Sequence, residues 1–266
     1  MTSSVDRARA VLGAARRRLH PSRVVFHHAP KCGGTSVGRS LRKRFILSQA
    51  TVLPEATFAA EAALTPDAGS DDVLLRAEAL RERMLLYHLA AGVDCISAHV
   101  RFSEAAWQAY SGKVRFITML RDPEARFLSH YRWSHGRPDG HAHISLPFAA
   151  FLDSPAALRL GAYYVYFFSG LPPDANMRSE AALDRAKANL DRFDAVGFLD
   201  RIGDFQAAIR QTVGVRLRIG HENRAARPAL SDLESHRDRI AALTAPDRAF
   251  YAYARQRFAD GLARAG

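Results

Sequence analysis

The sequence predicts an α/β protein built on a central parallel sheet with helices on its faces. Three observations point that way: β-rich runs alternate with helical stretches, two of the strand-to-helix switches carry glycine or proline at the junction, and no repeat or long linker divides the chain. In such a sheet, ligands gather at the carboxyl ends of the strands.

The first run, Arg23 to His28 (RVVFHH), is rich in β-formers and breaks at Pro30 into the pair Gly33-Gly34, after which Thr35 to Phe45 reads as helix. From Asp71 to Ala91 the apolar residues Val73, Leu74, Leu80, Met84, Leu85 and Leu89 recur at helical spacing, with Asp71 or Asp72 to cap the start. A short strand follows at Cys95 to Ala98. Val114 to Leu120 (VRFITML) suits a strand buried on both faces, and Asp122-Pro123 opens a helix to about Ser134. Ser179 to Phe193 reads as helix, Ala195 to Leu199 as a buried strand, Phe205 to Val213 as helix, Val215 to Ile219 as a closing strand and Asp247 to Phe258 as a terminal helix. Ser48 to Ser70 and Ser134 to Ser145 read as irregular. Residues 1–22, with Arg16, Arg17 and Arg18, are expected to form a leader helix or a frayed tail ahead of a single domain over residues 23–266.

The 266 residues, 48% hydrophobic and 24% charged, form a chain long enough to bury a core without disulfides. Its 38 Lys and Arg against 27 Asp and Glu leave a net charge of +11, which favours a polyanionic partner: nucleic acid, anionic lipid, acidic glycan or polyphosphorylated nucleotide. Two cysteines, Cys32 and Cys95, are too few for a disulfide framework, so a reducing, cytoplasmic setting is expected. The longest apolar stretch, Leu160 to Phe168, is half the roughly 18 residues of a membrane span, and no secretory signal is visible, so no stable membrane insertion is expected.

The most informative segment is Phe26-His27-His28-Ala29-Pro30-Lys31-Cys32-Gly33-Gly34-Thr35-Ser36, at the first strand-to-helix junction. Two glycines let the backbone approach an anion, the N–H groups of the following helical turn point at it, and the helix dipole adds positive charge. Lys31 and the hydroxyls of Thr35 and Ser36 stand beside that space. The Walker pattern is absent, because Lys31 precedes the glycines, and this disfavours an ATPase or ordinary kinase.

The stretch His28 to Ser36 resembles the 5′-phosphosulfate loop of the sulfotransferases, and its Pro30-Lys31 pair is most similar to the glycan O-sulfotransferases, of the heparan sulfate type or the bacterial carbohydrate type. Arg121-Asp122-Pro123-Glu124-Ala125-Arg126-Phe127-Leu128-Ser129-His130-Tyr131 resembles the 3′-phosphate motif of the same family. Weaker matches at Ile96 to Val100, Phe193 to Phe198, His221 to Arg224 and Asp247 to Phe258 extend the similarity over about Val24 to Phe258. The resemblance implies a Rossmann-like sulfotransferase fold with a P-loop-like strand-loop-helix. It also implies the donor adenosine 3′-phosphate 5′-phosphosulfate (PAPS), with no metal required. Lys31, Cys32, Gly33, Gly34, Thr35 and Ser36 would hold the 5′ side, Arg121 and Ser129 the 3′-phosphate, and Asn223 and Arg224 a loop closing over the nucleotide. A planar arginine fork and a hydroxyl suit one phosphate.

Sulfuryl transfer builds charge on the leaving oxygen, so positioning and electrostatics carry it. Lys31 is the candidate to stabilise that oxygen. The acceptor hydroxyl benefits from a base, and a neutral histidine serves near pH 7. His99, at the end of the Cys95 to Ala98 strand, is the first candidate, although Ala98 and Ser97 depart from the family pattern there; His28 is the second. Arg126 faces either the same phosphate or solvent. His135, His141 and His143 read as part of an acceptor-side loop rather than metal ligands, since no carboxylate or cysteine stands at ligand spacing. Tyr163, Tyr164, Tyr166, Phe167 and Phe168 either stack on sugar rings or fill a core.

The expected reaction moves a sulfuryl group to a hydroxyl of a glycan, glycolipid or small hydroxylated molecule, with a carbohydrate or glycoconjugate favoured. Three other readings stand beside it. A phosphatase-like enzyme would use Cys32, but its loop needs arginine six positions on, where Gly38 stands. A small-substrate kinase would lack its lysine and metal pattern. A basic nucleic-acid-binding protein would need a concentrated basic-aromatic segment, which is absent, so no nucleic-acid partner is expected.

Overall fold

A computed structural model describes residues 22–137, 142–220, 233–259 and 261–262. The expected leader lies outside them except for Ser22, as do His141, Asn223 and Arg224. The element order is β1 (Val24–His27), α1 (Gly34–Arg44), β2 (Gln49–Val52), α2 (Pro54–Leu64), α3 (Ser70–Ala90), β3 (Cys95–Ala98), α4 (Glu104–Tyr110), β4 (Arg115–Leu120) and α5 (Pro123–His135), then α6 (Phe148–Leu152), α7 (Pro155–Gly161), α8 (Tyr163–Phe168), α9 (Glu180–Leu190), β5 (Ala195–Phe198), α10 (Ile202–Thr212) and α11 (Arg237–Arg257).

The strands form one parallel sheet in the order β2-β3-β1-β4-β5, flanked by helices, which is a Rossmann-like arrangement. Parallel strands covered on both faces read as continuous apolar runs, and β1, β3 and β5 are buried along their whole length. The register sets the site. His27 pairs with Ala98 on one side and with Thr118 on the other, so residues 28, 99 and 121 leave the sheet at the same carboxyl edge. Thr118 Oγ1 donates to the His27 carbonyl at 2.8 Å and pins that edge.

The closing strand expected at Val215 to Ile219 is not a strand. Val215 and Leu217 are buried and Arg216 and Arg218 exposed, as in a strand, but side chains take the carbonyls: Ser40 Oγ donates to Arg218 O at 2.6 Å and Gln206 Nε2 to Leu217 O at 2.8 Å. The fifth strand is instead β2, inside the stretch read as irregular. It is a mostly exposed edge strand, so its sequence QATV carries little of the apolar signal that marks a buried one. The apolar run Leu160 to Phe168 is divided at Ala162 between α7 and α8. The terminal helix, expected from Asp247, starts at Arg237 and carries Pro246 inside it. No helix among the described residues is long and apolar enough to cross a membrane.

One buried ionic group ties α5, α8 and α11. Asp247 of α11 and Arg126 of α5 are both fully buried, with Arg126 Nη2 3.2 Å from Asp247 Oδ2. The other carboxylate oxygen of Asp247 accepts the Tyr164 and Val165 N–H groups at 2.8 and 3.3 Å and so caps the first turn of α8. The Arg126 guanidinium lies 4.9 and 5.1 Å from the Tyr163 and Tyr164 rings. Arg126 therefore faces neither a phosphate nor solvent. Removing one member of a buried pair strands the other, so Asp247→Asn is expected to cost about 3–5 kcal/mol in urea unfolding; a loss below about 1 kcal/mol would show that the pair is not what joins these helices.

Candidate functional site

The β1–α1 loop passes through two left-handed residues. Gly33, the N-cap of α1, has φ 75°, and Lys31 has φ 66°, the one positive φ recorded for a non-glycine residue among those described. A lysine there costs roughly 1 kcal/mol that glycine would avoid, and strain of that kind is kept at sites where the side chain is used. The Lys31 ammonium lies 5.0 Å from the centre of the Trp133 ring on α5. Thr35 is exposed at the first turn of α1, while Ser36 is buried.

Gly34 has a role the sequence did not indicate. A Cβ there would lie 1.9 Å from His28 Cδ2, so the absent side chain makes room for the histidine ring. Burial, together with the Arg42 and Lys31 cations, lowers the His28 pKa to about 4. His28 also touches His99: the ring centroids are 3.9 Å apart at 38°. The two candidate bases are therefore neighbours, with His99 half-buried at the end of β3. His27 is a core histidine. Its Nδ1–H donates to Val100 O at 3.0 Å, and burial lowers its pKa to about 4.

The second motif meets the first. Arg121 Nη1 donates to Lys31 O at 3.3 Å, across ninety residues of sequence. The Tyr164 hydroxyl donates to Arg121 O at 2.6 Å, accepts the Arg121 N–H at 2.9 Å and lies 3.2 Å from Cys32 Sγ. Cys32 is buried, and burial pushes its thiol up to about 11, which disfavours the thiolate. Ser129 is buried on α5, two turns beyond Arg121. His135 and His143 each place Nδ1 on a backbone carbonyl, of Ile144 at 2.9 Å and Ser134 at 3.1 Å, which cross-ties the two arms of the loop. No group of three or more metal-ligating side chains occurs among the described residues.

Sequence reasoning missed Trp133, because an aromatic in a helix reads first as core, and left Tyr163, Tyr164 and Tyr166 open between stacking on sugar rings and filling a core. A partly buried row continues from Trp133: His130 at 6.0 Å, Tyr163 at 6.3 Å from His130, and Tyr166 at 5.9 Å from Tyr163. Arg101, two residues past His99, covers the Tyr166 ring at 4.0 Å, and the Tyr166 hydroxyl donates to Glu78 of α3. Tyr164 and Phe168 are instead fully buried, Phe168 stacked on Phe250 and Tyr164 tilted against it, so the aromatic cluster splits between the partly exposed row and the core. No protein-family model matches the chain, and no curated protein matches it.

Two outcomes follow from these contacts. Tyr164→Phe removes the hydroxyl joining Cys32 to Arg121 and is expected to cost about 1–3 kcal/mol by urea unfolding; a neutral change would mean that the two loops hold each other without it. Between pH 6.5 and 4 the unfolded chain protonates His27 while the folded chain does not, so stability is full above 6.5 and falls as pH drops through that window. Asp247, raised by burial to about 6, acts with opposite sign below that pH. His27→Gln should therefore lose less stability than wild type between pH 7 and 4.5, by up to about 3 kcal/mol; equal losses in both proteins would refute the assignment.

Proposed function

We propose that the protein is a PAPS-dependent O-sulfotransferase with a P-loop-like donor loop. The observation that carries this reading is the direct contact between two segments that resemble the two ends of one donor site: Arg121 reaches the Lys31 carbonyl, and Tyr164 fastens the loops together. A nucleotide with phosphates on both its 3′ and 5′ sides needs two such anion sites side by side. The strained Lys31, the left-handed Gly33 and the first-turn N–H groups of α1 fit the 5′ end, and the half-buried Arg121 fits the 3′-phosphate.

Bound PAPS supplies a sulfuryl group whose bond to the 5′-phosphate oxygen breaks as the acceptor oxygen bonds to sulfur, leaving adenosine 3′,5′-bisphosphate. Lys31 meets the electron pair that departs with the bridging oxygen. His99 takes the acceptor's hydroxyl proton on a ring nitrogen and passes it to solvent. The aromatic row from Trp133 to Tyr166 lies between Lys31 and the segment after His99, and its partly exposed rings suit the apolar face of a sugar ring. A carbohydrate or glycoconjugate is therefore the favoured acceptor. The buried Cys32 thiol weighs against a cysteine phosphatase.

Adenosine 3′,5′-bisphosphate is expected to raise the melting temperature more than ATP or AMP at equal concentration, and Arg121→Ala to lose most of that shift. With PAPS and a desulfated uronic-acid oligosaccharide, Lys31→Ala should cut kcat on the order of 100-fold. Stabilisation by ATP alone, or by no nucleotide, would overturn the reading.

A further inference from the structure

His28 is held on several sides. Its N–H donates to Ala98 O at 2.8 Å, which places it opposite His99 by the sheet register. Its ring stacks on Phe26 at 5.4 Å and 15°, fills the space that a Cβ on Gly34 would need, and presents its remaining side to the His99 ring at 3.9 Å. The charged groups around it are Arg42 from α1 and Lys31 from the loop. A protonated His28 would stand beside both cations.

We propose that His28 is a positioning residue for His99: its ring, clamped between Phe26 and Gly34, fixes the orientation in which the His99 ring meets the acceptor hydroxyl, and His28 itself takes no proton. This rests on the reading of His99 as the acceptor-side base. With a pKa lowered to about 4, His28 stays neutral and is a weak base at neutral pH, which suits a spacer. Gly34 is then required for this ring as well as for any anion. The seat works through ring shape, so a ring without nitrogens should replace it.

The test compares wild type, His28→Ala and His28→Phe. Diethyl pyrocarbonate carbethoxylates accessible neutral histidines, and peptide mass spectrometry follows His99 in the full chain. His28→Ala is expected to raise the His99 modification rate several-fold, and His28→Phe to return it to within about twofold of wild type, the order of change that loss of a packed orienting neighbour produces. Equal rates in all three proteins, or a Phe variant that behaves like Ala, would overturn the proposal. In the oligosaccharide assay, His28→Ala should lower kcat roughly tenfold with little change in KM for PAPS, and add nothing in a His99→Ala background. Additive losses would also overturn it. The footprint needs neither donor nor acceptor, so absence of bisphosphate stabilisation in wild type counts against the sulfotransferase reading alone.

Discussion

The Tyr164 hydroxyl is the point on which the site depends. It contacts Cys32 in the loop after β1 and both backbone groups of Arg121 after β4, so two segments from different crossovers share one anchor. An anchor is only as rigid as its own support, and Tyr164 sits in a six-residue helix too short to hold itself. That support is Asp247, which caps the first turn of α8 and pairs with the buried Arg126. Arg126 belongs to the same segment as Arg121, so the second motif carries a ligand candidate at its start and the supporting cation one turn into its helix. The arrangement closes on itself: α11 holds α8, α8 holds the loops, and α5 holds α11.

Most of the sheet could be read from the sequence, because parallel strands buried on both faces carry an undiluted apolar signal. VVFH, CISA, RFITML and AVGF all met that condition, whereas QATV at the exposed edge did not. Val215 to Ile219 imitated a strand because alternate burial along α1 and α10 produces the same period as a half-buried ladder, and only the carbonyl partners separate the two cases. The short helices from Phe148 to Phe168 were unreadable for a related reason: each is under two turns and takes its stability from caps and burial rather than from its own periodicity.

The site was legible as a set of backbone positions and less so as side chains. The glycine pair, Lys31 and Arg121 stand out because their chemistry is unusual for a structural role, and strain at Lys31 strengthens that signal. Trp133, Tyr164 and Tyr166 gave no such mark. An aromatic residue has the same sequence pattern whether its ring closes a core or lines a cleft, and the difference is decided by which neighbours arrive from far along the chain.

The net charge of +11 suggested a polyanionic partner, but the arginines themselves weaken that step. Arg126 is sealed in the core, Arg23 donates to the Leu89 and Val93 carbonyls, and Arg178 to those of Ala242 and Leu243. Arg101 holds two carbonyls beside α8, while Arg192, Arg255 and Arg257 pair with acids and lie over aromatic rings. These guanidinium groups act as planar staples for backbone and rings, a use that lysine cannot copy. Their charge is therefore no map of where an anion binds. The proposed donor site rests instead on placement: a strained lysine at a helix start and an arginine half-exposed at the neighbouring strand end, their two loops joined by one tyrosine hydroxyl.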